Sequence, residues 1–275
     1  MDVEQVVTQF GISATPEQLP GGSQPTFRAG SIVLKRVKET SLENNHSPEL
    51  IKWIAEFSST LEETGFRFPK AILTRAGTWI TPDGWTAWTF VSGQHSTRED
   101  VPTCIEAIIA FHKALHHIEK HPLMDENQTP WGKADRWCWN EKPDVIHPKV
   151  KPLVDQLYDL RRPVEALEPQ LIHGDLNPEN ILIVPHLPPA FIDLSPFWRP
   201  VEFALGMYAN WIGPRQGDIS VLHYFQQIRA FDQMLIRASL RMLLVMSVLG
   251  HLDDWETCSE KKAVELVIRY IQQKS

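Results

Sequence analysis

The stretch Leu171–Pro200, LIHGDLNPENILIVPHLPPAFIDLSPFWRP, decides how the chain is read. Two short apolar runs, Ile181–Val184 and Ala190–Asp193, flank the Pro-rich turn Pro185–Pro189, and together they predict a hairpin. The polar loop His173–Asn180 leads into its first strand. Three groups able to handle a proton or a cation then stand at the mouth of that hairpin: Asp175, Asn180 and Asp193. Phosphoryl transfer is the chemistry that needs such a set. One carboxylate accepts the proton of an attacking hydroxyl, while an amide oxygen and a second carboxylate hold the magnesium that bridges nucleotide phosphates. A surface hairpin whose Asx side chains merely cap turns accounts for one such residue, and poorly for three. A metallophosphoesterase site would need more His ligands at motif spacing than the chain offers.

Asp, four residues, then Asn is the catalytic-loop spacing of protein kinases. Here His-Gly-Asp stands in place of His-Arg-Asp, and Asp-Leu-Ser in place of Asp-Phe-Gly. HGDLNPEN followed by FID resembles the aminoglycoside phosphotransferase family, with choline-kinase-like enzymes as cousins. The resemblance implies an α+β, bilobal protein-kinase-like fold with a five-stranded antiparallel small lobe and a mainly helical large lobe. It implies transfer of a γ-phosphoryl group to a hydroxyl of a small molecule, with ATP as donor, GTP not excluded, and Mg2+. By that resemblance Asp175 is the catalytic base, Asn180 and Asp193 are the metal ligands, and His173 orients the loop.

A second signal lies at LPGGSQPTFRAGSIVLKRV, residues 19–37. Gly21 and Gly22 permit a tight turn. Residues 26–28 and 31–37 read as strands around an Ala29-Gly30 turn. Alternation puts Val33, Lys35 and Val37 on one face. The family's nucleotide lysine falls on Lys35, with Val33 beside the adenine. Next, Ser47 and Pro48 open a predicted helix whose stripe is Leu50, Ile54, Phe57 and Leu61, with Gly65 at its end. In the kinase fold this helix supplies a Glu to the strand lysine. Glu49 and Glu56 are the two candidates, and distance from Lys35 favours Glu49. Residues 70–75, 78–81 and 85–91 read as a meander that completes the five strands. Its end, Phe90-Val91-Ser92-Gly93, falls at the family's hinge, where backbone groups of Thr89 and Val91 would meet the adenine. The resemblance divides the chain into residues 1–92, the nucleotide lobe, and 93–275, the catalytic and acceptor lobe.

Beyond the hinge, residues 101–118 read as a helix carrying His112 and His116 at i, i+4. No Glu stands between them in the zincin pattern, so packing or a hydrogen bond is the expected role. Residues 119–147 read as irregular, with a short helix starting at Asp135-Arg136-Trp137 and with Trp131, Trp137 and Trp139 as core or pocket wall. Helices are expected at 148–160, 201–212, 219–249 and 261–273. The segment from Ser195 to Pro200 is too short for a protein-kinase activation loop, which points to a small-molecule acceptor. The run Asp253-Asp254-Trp255-Glu256 could attract a cationic substrate, though a solvated loop is the expected reading.

The bulk properties agree. The 275 residues are 43% apolar and 22% charged, enough for a substantial core. The net charge is −7 and no basic, aromatic-interleaved stripe appears, which argues against nucleic acid as a partner. Cys104, Cys138 and Cys258 are odd in number and far apart, as in a reduced cytoplasmic setting. The N-terminal residues lack a signal-peptide core, and the longest apolar run, Met242–Gly250, is too short to span a bilayer. No membrane partner is expected. The rival reading is a pseudokinase, a nucleotide-binding or partner-binding module without turnover. The presence of base, metal ligands and lysine argues against it.

Overall fold

The computed structural model describes residues 2–20, 25–37, 47–164 and 166–274. The expected Gly21-Gly22 turn lies outside them. The chain opens with helix α1 (Val3–Gln9), strands β1 (Glu17–Leu19), β2 (Thr26–Ala29) and β3 (Ile32–Arg36), and helix α2 (Pro48–Thr60). Strands β4 (Ala71–Ile72) and β5 (Trp85–Thr89) complete an antiparallel sheet in the order β1-β2-β3-β5-β4. Gly30, at a φ of +60°, makes the β2–β3 turn. In register, Ile32 faces Thr89, Leu34 faces Ala87 and Lys35 faces Thr86.

The pleat decides which side chains meet the core. Ile32 and Leu34 are buried with Val6, Val7, Phe10, Trp85 and Ala87 in a small apolar cluster under α1. Val33 and Lys35 therefore point to the opposite face, both half-buried. The sheet has the five strands expected, with one exchange. Residues 78–81 form no strand, because Thr74 and Thr78 close a local turn through Thr78 N–H to Thr74 Oγ1 (3.1 Å) and Thr74 N–H to the Thr78 carbonyl (2.8 Å). The fifth strand is β1.

Helix α2 begins where the sequence says it should. Ser47 Oγ accepts the Leu50 N–H at 3.2 Å, and Pro48 occupies the first turn. It ends at Thr60, before Gly65 is reached. Its Leu50, Ile54 and Phe57 are buried in a second, larger cluster, together with Phe66, Phe68, Phe111 and Phe191. Phe111 stacks on Phe191 at 4.7 Å and meets Phe66 edge-on at 5.2 Å. Fully burying each such side chain is worth about 1.5–3 kcal/mol.

Strand β6 (Gln94–His95) and helix α3 (Val101–Leu115) follow. Residues 119–147 are less irregular than expected. Helix α4 (Pro130–Trp139) forms there, capped by Thr129 Oγ1 accepting the Gly132 N–H at 3.1 Å. Helix α5 (Lys151–Leu160) precedes β7 (Gln170–His173). The hairpin appears as β8 (Ile181–Ile183) and β9 (Ala190–Phe191), with β6 added on its far side. Strand β10 (Pro196–Arg199) pairs with β7, so the segment after Asp193 folds straight back onto the strand before Asp175. Helices α6 (Val201–Ile212), α7 (Phe231–Leu249) and α8 (Ser259–Gln272) close the chain, α7 starting later than expected. No helix among the described residues is long and apolar enough to cross a membrane.

Arg67 clips the sheet's exit to the hairpin. Its Nε donates to the Pro188 carbonyl (2.7 Å), Nη1 to Ser92 (3.1 Å) and Nη2 to Leu182 (3.4 Å). Next to Ser92, Gly93 sits so close that a Cβ would lie 2.7 Å from the Leu182 Cβ. Arg67→Ala removes three hydrogen bonds at this junction, two of them at carbonyls that water can reach. It is expected to destabilise the fold by about 1–3 kcal/mol, read as a lowered urea midpoint.

Candidate active site

The loop between β7 and β8 is held by its own polar groups. Asn177 Oδ1 accepts the N–H groups of Glu179 (2.8 Å) and Asn180 (3.2 Å), forming the single 3₁₀ turn Pro178–Asn180. That turn aims Asn180 back at Asp175. Asn180 Nδ2 donates to the Asp175 carbonyl (2.8 Å) and to Asp175 Oδ2 (3.1 Å), and Asn177 Nδ2 donates to Oδ1 (3.3 Å). Each carboxylate oxygen of Asp175 thus has an amide donor. Burial raises the Asp175 carboxyl above the usual range, while Arg241, Asn177, Asn180 and Arg215 pull it back down.

Two buried histidines fix the loop. His173 Nε2 donates to the Ile192 carbonyl (2.9 Å), and its Nδ1 accepts the Asp175 N–H (3.2 Å). His112 Nδ1 donates to the Ile108 carbonyl (2.7 Å), and its Nε2 accepts the His173 N–H (3.1 Å). In each ring one nitrogen must be bare, so both rings are neutral. Burial lowers His112 to about 3 and His173 to about 4. His116 is no metal partner for His112: it bonds Gln170 Oε1 at 3.0 Å. Among the described residues no group of three or more His, Cys, Asp or Glu is set to hold a metal.

The Ile192 N–H bonds the Asn180 carbonyl at 3.0 Å, which brings the end of β9 beside the loop. Asp193 follows with a left-handed φ of +56°. Its half-exposed carboxylate forms an ion pair with Lys35 Nζ, from the opposite sheet. Desolvation lowers the Lys35 ammonium to about 8. The side chain is still 36% exposed, and a value near 8 leaves the ammonium mostly charged at neutral pH. Glu49 does not take this place. It is exposed in the first turn of α2 and forms no ion pair with Lys35, while Glu56 faces Lys52 at 3.8 Å. At the hinge, Thr89 gives its N–H to the Lys70 carbonyl (2.8 Å), so its carbonyl is what it can offer a base. No hydrogen bond among the described residues takes up the Val91 N–H.

On the other side of Asp175 a cavity of about 340 Å³, counted to its open mouth, lies between α4, α6 and α7. Trp131, Met207, Trp211 and Arg241 line it with Asp175. Arg241, 5% exposed, gives Nη1 to the Gly174 carbonyl at 2.6 Å and lies over the rings of Trp131 and Phe197.

A model of the phosphotransferase enzyme family, the APH type, matches residues 17–235. The chain belongs to that family. Solved structures similar to this phosphotransferase share its kinase-like fold. A microcompartment-associated aminopropanol kinase is 15% identical with a TM-score of 0.65, over 98% of this chain and 97% of that one. A spectinomycin phosphotransferase solved with ADP and spectinomycin is 15% identical at 0.60, over 98% and 97%. An amicoumacin kinase solved with AMP-PNP, Ca2+ and Ami is 14% identical at 0.61, over 100% and 94%. The search of curated proteins finds no significant match.

The phosphotransferase carries a signal that the hairpin motif does not. Arg237 and Arg241 stand four apart in the apolar stretch FDQMLIRASLRMLLVMSVL, and both are buried. Buried arginines on an apolar helix mark a polar site. The two neutral histidines also set an acid limit. Their folded values lie below the ordinary 6.5, so the unfolded chain binds more protons between about 4 and 6.5. Stability is therefore full above about pH 6.5 and lost as pH falls. At pH 5 the loss is about 2 kcal/mol per ring. Urea titrations at pH 7 and 5 should show that loss, and His112→Gln should remove close to half of it. An unchanged pH slope in that variant contradicts the assignment.

Proposed function

We propose that this protein is a small-molecule kinase that transfers the γ-phosphoryl group of ATP to an alcohol hydroxyl, in a bilobal arrangement with residues 1–92 on the nucleotide side and 93–275 on the acceptor side. The observation that carries the reading is that three separate segments, the loop with Asp175 and Asn180, Asp193 just beyond β9, and Lys35 of β3, are joined by hydrogen bonds and an ion pair. Asp175 takes the acceptor proton as the acceptor oxygen attacks the γ-phosphorus. The bond from that phosphorus to the bridging oxygen breaks, and ADP leaves with the electron pair.

Asn180 and Asp193 fit a magnesium ion. The Asn180 amide nitrogen is turned to Asp175, which leaves Oδ1 as an oxygen donor, and the Asp193 carboxylate is half-exposed at the same mouth. When bound, magnesium supplies charge neutralisation on the phosphates. Lys35 is a mobile point charge for the phosphate chain, and its pairing with Asp193 keeps it within the cleft. Val33, on the same face of β3, is apolar wall for a base, and the Thr89 carbonyl with the Val91 N–H forms an acceptor–donor pair suited to an adenine edge. Solved relatives that hold ADP or AMP-PNP support a nucleotide at this cleft.

Asp175→Asn keeps the loop's size and removes the base. It should lower turnover about 10²- to 10⁴-fold in a labelled-ATP transfer assay, with MgADP binding little changed by calorimetry. Asp193→Asn should weaken nucleotide binding in Mg2+ far more than it changes metal-free binding. Tight MgADP binding with no transfer in the wild type, across a broad metabolite pool, would mark a module without turnover.

A further inference from the structure

The cavity beside Asp175 has one positive wall and no negative one besides the candidate base. Of the residues lining it, only Asp175 and Arg241 carry charge. Arg241 is buried to 95%, and among the described residues it forms no salt bridge. Its Nη1 is spent on the Gly174 carbonyl and the Met207 sulfur, and its Nε is buried with no hydrogen-bond partner. A desolvated guanidinium with an idle N–H is costly until an anion meets it. Behind this wall Arg215 stacks on Trp211 at 3.4 Å. Glu260 pairs with Arg215, and neither lines the cavity. The acidic residues Asp253, Asp254 and Glu256 are exposed and do not line the cavity.

From these features, and resting on the kinase reading above, we infer that the acceptor is a small hydroxyl compound bearing an anionic group, a carboxylate or a phosphate monoester, held by Arg241. A cationic acceptor would meet a buried guanidinium at the cavity wall, with no carboxylate to receive it other than the base. An anionic one supplies a counter-charge at the wall that Arg241 lines, and its body can lie against Trp131 or Trp211. Arg is suited to this task because its fork addresses two oxygens at once.

The test uses the full chain with MgADP bound. Calorimetry measures binding of glycerate, glycerol 3-phosphate, 1-amino-2-propanol and kanamycin, and labelled ATP reports transfer to each. One of the two anions should bind best, and which one tells carboxylate from phosphate. Arg241→Gln should weaken that anion roughly 30-fold or more, the effect of stripping one partner from a buried charge pair. Arg241→Lys, which keeps the charge and can still reach the Gly174 carbonyl, should recover much of it. Anions that bind no better than the amino alcohol, or an anion indifferent to both substitutions, overturn the inference. MgADP binding is read in the same samples. A chain that takes MgADP but prefers a cation keeps the kinase reading and loses this one. A chain that takes the anion through Arg241 but no MgADP loses the kinase reading and, with it, the anion's role as acceptor.

Discussion

A neutral imidazole holds this site together. His173 reaches from the end of β7 to the Ile192 carbonyl with one nitrogen and to the Asp175 N–H with the other. The two partners belong to segments that must lie side by side if Asp175 and Asp193 are to share a cleft. A charged ring would present an N–H to the Asp175 N–H and break the bridge. The neutrality is enforced one layer deeper, where His112 accepts the His173 N–H and gives its own proton to helix α3. The loop is thus anchored to a buried helix through two rings.

That anchoring sets the order in which the rest follows. With Asp175 fixed, Asn180 is locked by donating to its carbonyl and carboxylate. With Ile192 fixed, the next residue enters a left-handed conformation and turns its carboxylate to the sheet's lysine. Arg67 then joins the hinge to the hairpin from the outside. The cleft is a product of backbone carbonyls being satisfied, since most of these contacts end on main-chain atoms.

Much of this was legible in the sequence because spacing carried it. HGDLNPEN places an Asp and an Asn on one short turn, and the pleat of β3 alone puts Lys35 away from Ile32 and Leu34. The helix starts at Ser47 and Val101 were also legible, since capping residues and proline act locally. What stayed hidden depends on partners distant in sequence. The strand β1 has a two-faced, polar sequence and exists because β2 offers it an edge. Residues 78–81 have strand-like composition, yet Thr74 captures them first. Glu49 stands at a sensible distance in sequence from Lys35, but the α2 face that carries it turns to solvent. Arg241 was hidden because its role depends on Gly174, 67 residues earlier.

The Gly174–Arg241 contact also explains a departure in the motif. A protein kinase has Arg between His and Asp, and this chain has Gly. The space for a side chain is gone: a Cβ on Gly174 would sit 2.0 Å from Phe197 Cδ2. Phe197 is there because β10 pairs with β7, the consequence of a short connection after Asp193. The guanidinium that could not be carried by the loop arrives from α7, over the Phe197 ring and onto the Gly174 carbonyl. The change moves the positive charge from the loop itself to the wall of the cavity facing Asp175. There it acts on what enters the cavity as well as on the loop. The same short connection that leaves no room for an activation loop thereby sets, on the acceptor reading inferred above, the charge that a small molecule would meet.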